Sequence, residues 1–125
     1  PTRRSSDLLW IPGHAPRQFH GLSSHMDVPP TLMTLLGVKN PPRDYCHGRD
    51  LLGSEPTGWT VVGSWGDLAF VDADCKILFS LDSLSFSRPD VTTRDDQPVA
   101  DPVPFLESRH PQFAEIMRNL ERFTR

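Results

Sequence analysis

The sequence predicts an α/β chain: the terminal strand and helix of an α/β domain, then a small antiparallel sheet with a C-terminal packing helix. Three observations carry this. Leu32, Leu35 and Leu36 recur at i, i+3 and i+4 just before Gly37, the pattern of a short helix and its stop. Three runs of strand-favouring residues follow one another between Trp59 and Ser80, separated by short turns. Phe113, Ile116, Met117, Leu120 and Phe123 then mark one face of a last helix. The change of character near Trp59 divides the chain into residues 1–57, the end of the α/β domain, and 58–125, the small sheet plus helix.

Taken in order, Leu8-Leu9-Trp10-Ile11 is a short apolar run ended by Pro12-Gly13, which suits a buried strand leaving a sheet into a turn. A polar loop follows from His14 to Gly21. The first helix, expected to be buried, spans Asp27 to Leu36. Pro29 and Pro30 must occupy its first turn, where a missing N–H costs nothing. Those same prolines deny Asp27 the usual N-cap bonds. Asp27 is left either to favour the positive helix end or to give its carboxylate to another partner. From Lys39 to Gly58 the chain reads as an extended crossing anchored by Leu51-Leu52. Strands are expected at Trp59–Ser64, Leu68–Val71 and Lys76–Ser80, with a further one through Ser83–Ser87. Asp90–Pro104 reads as a surface loop, and the last helix has Ser108 as candidate N-cap and Pro111 in its first turn.

Composition narrows the functional classes. Apolar residues make up 37%, low for a self-sufficient core, and 13 prolines are about twice average usage. Such a chain has long ordered loops or leans on a partner. A formal charge of -3 with no basic run argues against nucleic acid. No apolar segment of around twenty residues is present to span a membrane. The opening Pro1-Thr2-Arg3-Arg4 has neither an initiator methionine nor the pattern of a signal peptide, so the chain reads as a fragment or excised domain.

Catalytic signals are weak. The five histidines (His14, His20, His25, His47 and His110) include no pair at i, i+4 spacing. His25 and Asp27 make a poor metal site alone, since two ligands from one turn need companions. Ser23 and Ser24 lie near His25, but adjacency in sequence does not supply base-to-nucleophile geometry. There is no G-x-S-x-G elbow. Gly63-Ser64-Trp65-Gly66 lacks the lysine and following helix of a phosphate loop, and reads as a hairpin turn. Arg17, Arg43 and Arg49 suit anion binding or plain structural roles. Cys46 and Cys75 read as free thiols, and Trp10, Trp59 and Trp65 as packing residues.

Three blocks in fixed order carry a resemblance. They are Trp10-Ile11-Pro12-Gly13, then Ser24-His25-Met26-Asp27-Val28-Pro29-Pro30-Thr31-Leu32, then Tyr45-Cys46-His47-Gly48-Arg49-Asp50-Leu51-Leu52. They resemble the W-x-P-G strand end, the S-H-x-D-hydrophobic-x-P-T-L helix start and the D-G-x-S-L-L block of the sulfatase branch of the alkaline phosphatase superfamily. Asp50 stands where that block has serine. Asp44-Tyr45 with Gly48-Arg49-Asp50-Leu51 is most similar to a bacterial inner-membrane, sulfatase-like branch that includes a lipopolysaccharide-regulating protein. The resemblance covers about residues 8 to 53.

What it implies is an intact parent that is a metal-dependent hydrolase or phospho-group transferase, with this part in the periplasm. The alternative is a sulfatase-fold protein that senses lipid or regulates without catalysis. In that family the nucleophile and the Asp/His metal ligands lie upstream of the matched blocks. This chain has no D-H-G motif, so no catalytic or metal residue carries over and a divalent metal belongs to the intact parent. His25 is the single candidate substrate-binding residue. The implied partners are the upstream portion of the same protein and a lipid or a sulfate or phosphate ester.

Overall fold

Alternating apolar residues build the centre of the molecule. The computed structural model describes residues 8–53, 57–63, 66–80 and 89–123. Four strands pair antiparallel in chain order: β1 (Trp59–Gly63), β2 (Asp67–Asp72), β3 (Cys75–Ser80) and β4 (Asp90–Thr93). Val61 lies opposite Phe70, Phe70 opposite Ile77, and Ile77 opposite Val91. Directly opposed residues share a face, so one apolar row crosses the whole sheet. Leu68 and Phe79 form a second row beside it.

Helix α3 (His110–Phe123) covers that face. Phe113 meets Phe70 edge-on at 5.4 Å and Phe79 edge-on at 5.2 Å, while Trp59 stacks on Phe70 at 5.7 Å. Each such pair adds roughly 0.5–1.5 kcal/mol to its burial. Phe70, Cys75, Ile77, Val91 and Ile116 form the buried centre, and α2 (Val103–Ser108) closes one side with Phe105 and Leu106.

Several expectations are corrected. Asp90–Thr93 is a strand rather than part of a surface loop. Its β-branched run Val91-Thr92-Thr93 suits a pleated ladder, and Val91 is buried against Ile77. Ser108 is not the N-cap of α3: it ends α2, donating from Oγ to Pro104 O at 2.8 Å. Met117 is 59% exposed and lies off the packed face. Leu8–Ile11 forms no strand, and Trp10 is 80% exposed. A strand needs a neighbour for its backbone groups, and none of the described strands lies beside it. The expected strand at Ser83–Ser87, the Trp65 turn residue and the Phe123 side chain fall outside the described residues.

The first helix is present as α1 (Val28–Leu35), entered through a 3-10 turn at His25–Asp27. Its end is a Schellman closure: Val38 N donates to Met33 O at 3.0 Å and Gly37 N to Thr34 O at 3.1 Å. Gly37 takes φ 82°, the conformation for which glycine has no Cβ penalty. The buried side of α1 is not the leucine face that periodicity marks. The helix sinks Pro30 and Thr31, whereas Leu32, Met33 and Leu36 stay exposed.

Arg109 fastens the helical pair to the sheet. Its Nε donates to Asp72 Oδ2 and its Nη2 to Asp74 Oδ2, each at 2.8 Å, so it holds the turn between β2 and β3. Burial alone would raise the Asp72 carboxyl. The Arg109 bond, helped by the Cys75 and Asp74 N–H groups, wins and holds it below its ordinary value. A lowered carboxyl contributes stability above its unfolded-state pKa and loses it as pH falls through the folded one. In Arg109→Gln, Asp72 should therefore titrate at higher pH in carboxyl-carbon NMR. The variant should also lose roughly 1.5–3 kcal/mol at neutral pH, a deficit that narrows in acid. An unmoved Asp72 titration would rule the clamp out.

Candidate functional site

The candidate site grows from Asp27, whose side chain is only 5% exposed. A buried carboxylate must be bonded or it destabilises the fold. With prolines following, it turns backward and sideways. Oδ2 accepts from Ser24 N at 2.9 Å, while Ser24 Oγ accepts from Met26 N at 3.3 Å, closing a capping box around the 3-10 turn. Oδ1 accepts from Arg49 N at 3.0 Å, 22 residues on. Of the two roles open to Asp27, the structure selects the distant partner, and α1 has no side-chain cap.

Thr31 extends the same clasp. Its Oγ1 donates to Asp27 O at 2.7 Å and accepts from Leu51 N at 3.0 Å. Arg49 Nη2 donates to Leu22 O, and Arg17 Nη2 reaches Leu51 O and Leu52 O at 3.3 and 3.2 Å. The chain at Gly48 runs so close to the 3-10 turn that an added Cβ would lie 1.7 Å from Met26 O and 2.8 Å from Asp27 N. Only glycine permits that approach.

Between this clasp, β1 and α3 lies a cavity of about 340 Å³. Met26, Trp59, Val61, Leu68, Ile116 and Leu120 supply its apolar wall. Arg49, His47, Asn119, Glu115 and Asp27 supply the polar groups. Burial, and then the charge of Arg122, push His47 below its ordinary pKa, which favours the neutral imidazole. A second, wider depression of about 530 Å³ runs beside Met33, Val38, Tyr45 and Cys46.

The residues singled out in sequence scatter. His25 is exposed at the start of the 3-10 turn and is not among the cavity-lining side chains. His14, His20 and His110 are exposed in separate places. Among the described residues no three His, Cys, Asp or Glu side chains group in a way that could hold a metal ion. Cys46 and Cys75 are free thiols. Burial, with the Asp72 charge beside it, pushes the Cys75 thiol up to about 11, so it is not a thiolate at neutral pH. Ser24 caps a turn, and Ser23 is exposed. Arg43 is exposed and lends its carbonyl to Arg122. Among the described residues no helix is long and apolar enough to cross a membrane.

The cavity and the Asp72–Arg109 clamp are not visible in sequence, since their residues lie tens of positions apart. The denied cap at Asp27 is the one local signal of the clasp. No family profile and no curated protein matches this chain.

Asp27→Ala removes an acceptor from two backbone donors and should cost roughly 2–3 kcal/mol in urea unfolding. Gly48→Ala should lose a comparable amount through overpacking, about 1–3 kcal/mol. A Gly48→Ala chain as stable as the unsubstituted one would show that the two segments do not dock as described.

Proposed function

We propose that this chain is the C-terminal part of a sulfatase-like protein, a metal-dependent hydrolase or phospho-group transferase whose chemistry is supplied by residues upstream. One observation carries the reading. The blocks that resemble the family, Ser24–Leu32 and Tyr45–Leu52, are bound to each other through Asp27, Thr31 and the Arg49 and Leu51 amides. Their polar groups are spent on holding backbone in place, as befits a structural closing element. The exposed apolar residues support it too. Trp10 and, on α1 and its end, Leu32, Met33 and Leu36 are left exposed to solvent. The upstream portion of the same protein is the natural cover. The divalent metal of such a parent finds no set of ligands among the described residues. Periplasmic placement at a bacterial inner membrane follows from the resemblance.

The test is the longer chain that carries these residues at its end. It should hydrolyse 4-nitrophenyl sulfate or 4-nitrophenyl phosphate in a metal-dependent way, while residues 1–125 alone should not. Within it, His25→Ala should raise KM with kcat retained if His25 touches substrate. Turnover by the 125-residue chain would overturn the proposal. A folded longer chain without turnover that binds lipid vesicles would establish the non-catalytic, lipid-sensing alternative instead.

A further inference from the structure

We infer that the cavity between the Asp27 clasp, β1 and α3 is a binding site for a compact neutral amphiphile: an apolar ring or short acyl body bearing one carbonyl acceptor. Its volume of about 340 Å³ lies at the lower end of small-molecule sites, roughly 300–1,000 Å³. The wall has the usual composition of such sites, with aromatic and aliphatic surface from Trp59, Val61, Ile116 and Leu120 around a few polar groups.

Two features define the ligand's chemistry. First, Arg49 lines the cavity, and its buried Nε–H has no acceptor among the described residues. A buried donor left unmade costs roughly 1–3 kcal/mol, so an acceptor brought by a ligand is rewarded. Second, the charges around the cavity do not favour an anion. Arg49 shares the lining with two carboxylates, Asp27 and Glu115, and His47 is disposed to be neutral. An incoming carboxylate, sulfate or phosphate would meet those two carboxylates in partly dry surroundings. A neutral carbonyl satisfies the guanidinium without that repulsion, and Asn119 offers a second amide partner beside it.

Strand β1 is the sheet's edge among the described strands. Residues from both of its faces, Thr60 and Val61, line the cavity. The ligand would therefore lie along an edge that presents both backbone donors and acceptors, again suiting a neutral head. This site stands whether the longer protein is an enzyme or a regulator, because none of its residues is given a catalytic role.

The experiment is a two-dimensional amide NMR titration of the 125-residue chain with 2-acetylnaphthalene, naphthalene and 2-naphthoate. The expected result is saturable shifts at Met26, Asn119 and the Trp59 indole N–H for 2-acetylnaphthalene. Both other probes should bind about tenfold more weakly, one lacking the acceptor and one carrying the charge. Arg49→Lys keeps the charge but removes Nε–H, and should erase the preference for 2-acetylnaphthalene over naphthalene. Because Arg49 also serves the clasp, Asn119→Trp gives an independent arm: it fills the cavity from α3 and should abolish binding with the helix retained by circular dichroism. Tighter binding of 2-naphthoate, absence of saturable shifts, or unchanged binding in Asn119→Trp would overturn the inference.

Discussion

The carboxylate of Asp27 is the constraint on which the first half of the molecule depends. A charge this deeply buried is tolerated only when its oxygens are bonded, and here they are bonded to backbone amides of two segments far apart in sequence. That requirement fixes the rest. The segment at Gly48 must come within touching distance of the 3-10 turn, which admits only glycine. Thr31, one turn into α1, then lies where its hydroxyl can serve both Asp27 O and Leu51 N. With little apolar burial in residues 8–53, polar bonds of this kind take the place that a hydrophobic core has elsewhere.

The second half is organised the other way round. Its sheet and α3 share an apolar row with Phe70 at the centre, and burial of that row is the main source of its stability. One polar device recurs: Arg109 joins the start of α3 to the turn between β2 and β3 through Asp72 and Asp74. Asp72 sits at the end of β2 opposite Trp59, where the apolar row has run out. Its carboxylate would be costly there without Arg109, and the guanidinium fits two carboxylates at once because its donors form a planar fork. Cys75 lies fully buried beneath this pair, and its elevated thiol pKa is the consequence of that dry setting.

How much of this is readable in the sequence follows from the range of the interactions involved. Local patterns are legible: the three hairpin strands, the prolines of the first turn, the Gly37 stop and the main face of α3 all depend on residues within a few positions. The strand at Asp90–Thr93 is hidden because prolines and aspartates around it outweigh three β-branched residues, and its pairing with Cys75–Leu78 is decided by tertiary contact. The buried side of α1 is hidden for a related reason. Periodicity locates an apolar face, but it does not say which side the rest of the chain will cover. Of the site, only the unusual position of Asp27 is visible. Its partner is not, because no spacing rule connects residues 27 and 49.

The cavity follows from joining two units built by different means. The clasp ends in directional hydrogen bonds and the sheet ends in an apolar edge, so their surfaces have no common periodicity with which to interdigitate. Space left at such a seam would ordinarily be lost by collapse, since an unfilled apolar void forfeits its contacts. Here collapse is resisted from both sides. Gly48 is already at van der Waals contact with the turn, and Phe113 holds α3 at a fixed height above Phe70 and Phe79. A void that neither wall can close, with a buried Arg49 donor beside it, is maintained by the same bonds that stabilise the two halves. Its persistence therefore needs no separate structural support.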